Sequence, residues 1–217
     1  MRDVIFDYAR QARIGLPEAV YCEGKPRGTV LGLLKQFRAG SQHPVLFTRL
    51  AADVVGELRP EIRDSIDYHA LSRTAWGEKM PSLHHGKVVV VTAGTSDSAV
   101  AWEAARTLDY LGIACTVLED CGVAGLWRLI DRLPEIEEHD VVIVVAGLDA
   151  ALASIMGGLT ARPVIAVPTS VGYGVAGNGG AALNSMLASC APGVPVMNID
   201  NGYGAACAAA RMLGRKR

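Results

Sequence analysis

The stretch "KVVVVTAGTSDSAVAWEAARTLDYLG", residues 87–112, contains the pattern from which the fold can be predicted. Residues 87–92 form a continuous apolar run, which predicts a strand buried on both faces. Residues 96–112 predict a helix, because apolar side chains recur there at helical spacing and Gly112 ends the pattern. A buried strand followed at once by a helix is the repeating unit of a parallel sheet.

Four further units of this kind follow along the chain. Their predicted strands are residues 114–119, 140–147, 163–169 and 195–200, and their predicted helices are residues 124–133 (ending at Pro134), 149–159, 178–189 and 204–213. The pattern predicts an α/β domain with a doubly wound parallel sheet, of flavodoxin-like or Rossmann-like type, over residues 85–217.

The first part of the chain, residues 1–84, is less regular and predicts a small N-terminal α+β domain with a linker. Its expected elements are helices at 2–13 and 26–37, short strands at 18–22 and 45–50, and an irregular connection with strand character at 65–76.

Composition excludes several classes of protein. The chain has 217 residues and a formal net charge of −1, so it lacks the basic surface by which proteins bind nucleic acid. No signal peptide and no apolar run of about 18 residues is present, which argues against a membrane protein. The five cysteines form no C-x-x-C pair, and their odd number predicts reduced thiols in a cytoplasmic protein.

Ligands of open parallel sheets bind outside the carboxyl ends of the strands. Here the predicted strand ends carry loops at 92–98, 118–125, 146–150, 168–174 and 199–204, each with glycine or another small residue. We expect these loops to form one cleft that binds substrate. The predicted substrate-binding residues are Gly94, Thr95, Ser96, Thr169, Ser170, Gly172, Tyr173, Gly174, Asn198, Asp200 and Asn201.

Two of these loops leave alternatives open. Ser96 and Asp97 can cap the following helix, or they can help the free N–H groups hold a phosphate or ribose. The glycine-rich stretch "VPTSVGYGVAGNGG" (167–180) is either a flexible surface loop or a loop that holds phosphates on backbone amides.

Cys190 lies in an unusual segment, because residues 163–199 contain no Asp, Glu, Lys, Arg or His. A cysteine here is either a small buried apolar residue or a nucleophile. A nucleophilic thiolate needs stabilisation by a nearby cation or by amide groups, and no charged side chain is close in the sequence. A catalytic role for Cys190 therefore requires a cationic substrate.

Five motifs together resemble one known family. They are "VVTAGTSDSAVAWEAARTL", "EDCGVAGLWRLI", "VVIVVAGLDAALASIMGGL", "PVIAVPTSVGYG" and "LASCAPGVPVMNIDNGYGA". This set is similar to LarB, the pyridinium-3,5-biscarboxylic acid mononucleotide synthase of nickel-pincer cofactor biosynthesis and lactate racemase maturation. That family is related to the aminoimidazole ribonucleotide mutases and carboxylases. The opening "RIGLPEAVYCEGK" also resembles the family's first domain, so the likeness covers nearly the whole chain.

The resemblance implies a carboxylase and hydrolase that acts on nicotinic acid adenine dinucleotide. CO₂ or bicarbonate carboxylates C5 of the pyridinium ring, and hydrolysis of the phosphoanhydride releases AMP. Cys190 matches the family's cysteine, which adds covalently to the ring. Asp97, Asp120 and Asp149 match acidic or ligand-contacting positions, and we expect one of them to accept the C5 proton.

The same resemblance implies Mg²⁺ as a cofactor, although the spacing identifies no metal ligands. It also implies a homo-oligomer, for which the octameric purine relatives are the precedent, with clefts near the subunit contacts. Two positions depart from the family pattern: Cys121 replaces a usual valine, and Trp127 replaces a residue that is often histidine.

Two other functions remain open at this point. The first is an aminoimidazole ribonucleotide mutase or carboxylase, but the chain lacks the Ala-His-Arg-Thr-like loop and has "EDCGVAG" in its place. The second is a nucleotide-binding module without catalytic activity. Chemical change of the ligand separates the enzymes from the module, and dependence on Cys190 separates the two enzymes.

Overall fold

The computed structural model of the protein describes residues 4–81 and 86–214, and the expected domain boundary at residues 84–85 lies outside them. The described residues divide into two compact units. The N-terminal unit comprises residues 4–81 together with Tyr110–Gly112, and the C-terminal unit comprises residues 86–109 and 113–214. No helix in these ranges combines the length and the apolar character needed to cross a lipid bilayer.

The N-terminal unit is a small mixed sheet with short helices, as the sequence predicted. Its strands are β1 (Ala19–Tyr21), β2 (Leu46–Thr48), β3 (Asp67–His69) and β4 (Thr74–Trp76), and its helices are α1 (Arg10–Ile14), α2 (Arg27–Gln36), α3 (Ala52–Gly56) and α4 (Pro60–Arg63). The strand order is β1-β2-β4-β3, in which only β1 and β2 are parallel. Leu33, Leu34 and Phe47 belong to its buried core.

Two expectations for this unit differ from the structure. The helix expected over residues 2–13 covers only α1 among the described residues, and it ends where Gly15 adopts a left-handed conformation with φ of 83°. The connection expected to be irregular at 65–76 is instead the antiparallel hairpin of β3 and β4.

The C-terminal unit contains a parallel sheet with the strand order β6-β5-β7-β8. Its strands are β5 (Lys87–Thr92), β6 (Ala114–Leu118), β7 (Val141–Ala146) and β8 (Val164–Pro168), and its helices are α5 (Ser98–Tyr110), α6 (Trp127–Glu137), α7 (Ala151–Leu159), α8 (Gly180–Leu187) and α9 (Gly202–Leu213). The helix α6 continues through Pro134, so the stop predicted there is wrong.

Both faces of the parallel sheet are buried, which explains its apolar strands. Val89, Val142 and Val164 share one hydrophobic cluster with residues of α6, α7 and α8. The alternate residues, such as Val90 and Ile143, are also fully buried, and α9 packs against β7 and β8. This is the predicted doubly wound α/β architecture.

The fifth strand predicted over residues 195–200 is reduced to one bridge between Ala166 and Val196. Hydrogen bonds run from the Ala166 N–H to the Pro195 carbonyl (2.9 Å) and from the Met197 N–H to the Ala166 carbonyl (2.8 Å). The ladder cannot extend further in register, because Pro168 has no amide hydrogen to donate.

Candidate active site

A cavity of about 630 Å³ lies where the strands of the C-terminal unit end. The loops after β5, β6, β7 and β8 all contribute to its lining, as expected for an open parallel sheet. The loop at 199–204, which the sequence placed in the same cleft, is not among the lining residues. The volume falls within the range of small-molecule sites, about 300–1,000 Å³.

Asp97 connects three of the strand ends. Its Oδ2 accepts a hydrogen bond from the Gly94 N–H (3.0 Å), and its Oδ1 accepts one from the Thr169 hydroxyl (2.7 Å). The Gly147 N–H is a further donor to the carboxylate. Asp97 lines the cavity but is only 3% exposed. Burial therefore raises the pKa of its carboxyl above the usual value, although the three hydrogen bonds act in the opposite direction.

Gly147, directly after β7, allows two strand-end loops to approach closely. A Cβ at this position would lie 2.3 Å from the Val171 carbonyl oxygen and 2.6 Å from the Thr169 hydroxyl oxygen. Any larger residue would push the loop after β8 away from the loop after β7, so glycine is required by the packing.

Several loop residues in this region adopt left-handed backbone conformations that are unfavourable for residues with side chains. Asp120 after β6 has φ of 61°, Leu148 and Ala150 after β7 have 54° and 52°, and Asp200 has 56°. Such strain is common at ligand sites, because the surrounding structure must hold it in place.

Ser96, Asp149 and Tyr173 also line the cavity. The Asp149 Oδ1 accepts a long hydrogen bond of 3.3 Å from the Ala151 N–H at the start of α7. Tyr173 is 83% exposed. The structure thus brings together Gly94, Ser96, Asp97, Asp149 and Tyr173 from three different loops.

The remaining predicted residues lie outside the cavity lining or beside it. Thr95, Ser170, Gly172 and Gly174 flank lining residues in the same loops.

Asn198, Asp200 and Asn201 bond to nearby backbone. Asp200 accepts from the Ser170 N–H (2.8 Å), Asn201 caps α9 by accepting from the Gly204 N–H (2.8 Å), and Asn198 accepts from the Ile199 N–H (2.9 Å).

Arg128 is a cavity residue that the sequence did not single out. It lies in the first turn of α6 and forms an ion pair with Asp120. Asp120 itself is not among the lining residues. The sequence signal was weak, because an arginine near the start of a helix is usually a solvated surface residue.

Cys190 is exposed, whereas Cys22 and Cys121 are buried and Cys115 and Cys207 are half-buried. It is not among the residues that line the cavity. It lies in the connection from the end of α8 to the bridge at Val196, which pairs with the middle of β8. This topology places Cys190 towards the edge where the strands begin, and the cavity lies at the opposite edge.

Within residues 4–81 and 86–214, no group of three or more His, Cys, Asp and Glu side chains could hold a metal ion. The residues present do not form a magnesium site of their own. In other proteins Mg²⁺ is often bound by one or two carboxylates together with the phosphates of a substrate, an arrangement that needs no such cluster.

Comparison with known proteins identifies the family of both parts of the chain. Residues 87–217 match the family model of AIR carboxylase, and residues 2–79 match that of the LarB/PurE-like N-terminal domain. The chain belongs to the AIR carboxylase family. The resemblance to LarB and its purine relatives is thereby confirmed, and the family consists of carboxylases and mutases.

Two relatives come from Methanocaldococcus jannaschii. An uncharacterised protein is 38% identical over 210 residues, which span 92% of this chain and 79% of that protein. An N5-carboxyaminoimidazole ribonucleotide mutase is 31% identical over 136 residues, which span 59% of this chain and 80% of the mutase. The crystal structure of Treponema denticola PurE has a TM-score of 0.49 at 24% identity, with coverage of 58% of this chain and 78% of that one.

Proposed function

We propose that this protein converts nicotinic acid adenine dinucleotide, CO₂ or bicarbonate, and water into pyridinium-3,5-biscarboxylic acid mononucleotide and AMP. The observation that carries the proposal is the exposed Cys190 thiol in a chain that combines an AIR carboxylase domain with a LarB/PurE-like N-terminal domain. A cytoplasmic place in nickel-pincer cofactor synthesis belongs to the same proposal.

The chemistry begins with the Cys190 thiolate, which adds to a carbon of the pyridinium ring. The new C–S bond neutralises the ring and makes C5 electron-rich, so that C5 attacks the carbon of CO₂. A carboxylate then removes the C5 proton, and the C–S bond breaks as the ring regains aromaticity. The thiolate is recovered unchanged, and the positive charge that residues 163–199 lack is supplied by the substrate.

Asp149 is the proposed acceptor of the C5 proton. Its carboxylate lines the cavity, and one long hydrogen bond leaves lone pairs open. Asp97 also lines the cavity, but it is buried and accepts three hydrogen bonds, which suits it to hold the loops together. Asp120 is engaged by Arg128.

Hydrolysis of the phosphoanhydride requires water to attack a phosphorus atom, with AMP as the leaving group. We propose that Mg²⁺ enters with the phosphates of the substrate, where it neutralises their charge. The neutral groups near the cavity, such as Ser96 and the Gly94 backbone, would orient the sugar and phosphate oxygens.

Cys190 and the cavity lie towards opposite edges of the sheet. The proposed reaction therefore needs a second copy of the protein to bring a thiol to the bound ring. We propose that the protein is a homo-oligomer in which Cys190 of one copy meets a ring bound in the cavity of another. Seven of the twelve residues of α9 are alanine or glycine, but five of these are buried within the single chain, so α9 is not assigned to this contact.

Turnover tests the function directly. The protein should release AMP and a doubly carboxylated mononucleotide from nicotinic acid adenine dinucleotide, bicarbonate and Mg²⁺, as measured by mass spectrometry. Cys190→Ala should lose at least about 1,000-fold in rate, because no other group can form the ring adduct. The matched control is Cys115→Ala, whose thiol has a pKa raised by burial to about 12 and should be unreactive. Full activity of Cys190→Ala would contradict the proposal.

Mixed oligomers test the shared site. Cys190→Ala and Asp149→Asn, each inactive alone, should regain part of the activity when they are refolded together, since a mixed pair then contains one intact site. No recovery in oligomers shown to be mixed would contradict the arrangement.

The second candidate is an aminoimidazole ribonucleotide mutase, which the 31% identity to such an enzyme favours. It predicts turnover of the carboxyaminoimidazole substrate with Cys190 dispensable. A nucleotide-binding module predicts binding without any change in the mass of the ligand.

A further inference from the structure

Two arginines of the N-terminal unit adopt backbone conformations that disfavour a side chain. Arg49 follows β2 with φ of 53°, and Arg73 precedes β4 with φ of 55°. Left-handed backbone is uncommon outside glycine, asparagine and aspartate, and it persists only where the surrounding structure holds it. Glycine or asparagine would adopt it with less strain, so two arginines at such positions point to a role for their side chains.

The two arginines lie together at one edge of the mixed sheet. Because β2 and β4 are antiparallel, the end of β2 and the start of β4 share this edge. The Leu50 N–H donates to the Arg73 carbonyl oxygen at 2.8 Å, and Arg73 Nη2 donates to the Arg49 carbonyl oxygen at 3.1 Å. These bonds fix the guanidinium of Arg73 beside the backbone of Arg49.

Strand β1 brings two further side chains to the same edge, because it is parallel to β2 and ends beside it. The Tyr21 hydroxyl donates to Glu23 Oε2 at 2.7 Å, and Glu23 Oε1 lies 3.7 Å from Arg73 Nη2. The hydrogen bond from Tyr21 holds the pKa of Glu23 below its usual value, and the positive charges of Arg73 and Arg49 act in the same direction. The Glu23 carboxylate thus links a phenol to a guanidinium group.

The edge cluster consists of Tyr21, Glu23, Arg49 and Arg73. Lys25 adds a third cation beside it: burial raises the pKa of the Cys22 thiol to about 12, and the charges of Lys25 and Arg73 both act against that rise. Three cationic side chains therefore accompany one carboxylate. Arginine presents paired N–H donors that match the oxygens of a phosphate. The Tyr21 ring is 54% exposed and offers a flat face on which a base can stack.

We propose that the edge cluster binds a nucleoside monophosphate. Arg49 and Arg73 engage the phosphate, the Tyr21 ring stacks on the base, and Glu23 positions both the tyrosine and Arg73. The two strained arginines then serve binding rather than folding. The inference goes beyond the proposed function and does not depend on it, because it concerns the other unit of the chain.

Under the proposed function AMP also enters the cavity of the C-terminal unit, so the test needs a local readout. Hydrogen exchange of the full chain, followed by mass spectrometry, reports protection peptide by peptide. AMP should slow exchange in peptides that cover residues 19–25, 46–50 and 71–76, and its half-saturation concentration gives the affinity. Adenosine, which lacks the phosphate, and succinate, which has only carboxylates, should not protect these peptides at the same concentration. No protection by AMP, or equal protection by either control ligand, would overturn the proposal.

Arg73→Met tests recognition of the phosphate. It should raise the half-saturation concentration of AMP about 10- to 100-fold, the usual effect of losing a charge-assisted hydrogen-bond pair. Arg63→Met is the matched control, because Arg63 belongs to the same unit and pairs with its neighbour Asp64 at 3.6 Å. The control should change the affinity less than twofold, and equal effects of the two substitutions would contradict a specific site.

Tyr21 variants test the recognition of the base. Tyr21→Ala should weaken protection by AMP about 10-fold through the loss of stacking, but it should leave protection by ribose 5-phosphate nearly unchanged. Tyr21→Phe keeps the ring and loses the hydroxyl, so it should retain the affinity for AMP within about threefold. Equal losses of AMP and ribose 5-phosphate in Tyr21→Ala would contradict stacking on this ring.

Arg49→Asn separates binding from folding, because asparagine tolerates φ of 53° better than arginine does. It should weaken binding of AMP about 10-fold or more, while the urea midpoint of unfolding stays at or above that of wild type. Arg49→Lys keeps the charge and should recover part of the affinity. A lower midpoint with unchanged affinity in Arg49→Asn would make Arg49 a folding residue and overturn its assignment. Turnover of the dinucleotide judges the proposed function separately from these affinities.

Discussion

The two edges of the parallel sheet are held together in different ways. Where the strands end, Asp97 joins the loops after β5, β7 and β8 through hydrogen bonds from Gly94, Gly147 and Thr169. Towards the other edge, the segment that carries Cys190 is held by the Ser154–Ser189 hydroxyl pair at 2.7 Å and by packing of Ala191 near Gly157.

The two edges would therefore serve different parts of the proposed reaction, namely binding of the substrate and attack by the thiol. The cavity is preorganised by a buried polar network, which is expensive to disturb because each lost partner leaves another polar group unpaired. The thiol lies on an exposed connection with few polar anchors, so it is open to a ligand carried by another molecule.

Among these substitutions, Gly147→Ala should destabilise the protein most, by separating the loops at the edge where the strands end. The new Cβ meets the Val171 carbonyl oxygen at 2.3 Å, so the loops must separate, and we expect about 3 kcal/mol of lost unfolding free energy. Urea unfolding gives the value. Gly158→Ala is the control, since nothing lies within 4 Å of its Cβ position in α7 and it should stabilise the helix by up to about 1 kcal/mol. Equal effects of the two changes would contradict the close approach at Gly147.

Asp97→Asn should lower the free energy of unfolding by about 1–2 kcal/mol at neutral pH, because an amide nitrogen would face a backbone N–H donor. The effect also depends on pH. Burial raises the pKa of Asp97 above 3.8, its unshifted value, so the folded protein holds this proton more tightly than the unfolded chain. The resulting stabilisation is present below pH 3.8 and is lost as pH rises through the raised pKa.

Urea unfolding of wild type and Asp97→Asn at a series of pH values measures this pH-dependent contribution to the free energy of unfolding. The stability of wild type relative to Asp97→Asn should decline as the pH rises above 3.8. A difference that stays constant, or that grows with pH, would show that burial of Asp97 does not control its ionisation.

Ser189→Ala should have the smallest effect, about 1 kcal/mol, since it removes one half-exposed hydroxyl pair with Ser154. Alkylation of Cys190 by iodoacetamide, followed by peptide mass spectrometry, should remain faster than that of the other four cysteines in both proteins. If Cys190 reacted no faster than the buried Cys121, the contrast between the two edges would be wrong.

The sequence alone determined the architecture of the C-terminal unit. Continuous apolar strands such as Val141–Ala146, each followed by a helix, admit few arrangements other than a parallel sheet covered on both faces. The same logic predicted a cleft at the strand ends, and a cavity lies there whose lining includes Gly94, Ser96, Asp97, Asp149 and Tyr173; their roles stay a prediction. Predictions from short segments were wrong in two places. Helix α6 continues through Pro134, where an end was predicted, and the connection predicted to be irregular forms the hairpin of β3 and β4.

Which polar residues share the cavity could be seen only in the folded protein. Arg128 and Asp120, eight residues apart, form an ion pair, and Asn201 and Asp200 are used for backbone hydrogen bonds instead. The position of Cys190 away from the cavity also required the fold, because it depends on which end of α8 its connection leaves. Apolar periodicity predicts helices and strands because it reports the average burial of a short segment. A site depends instead on distances between loops that are far apart in the chain, which no short segment specifies.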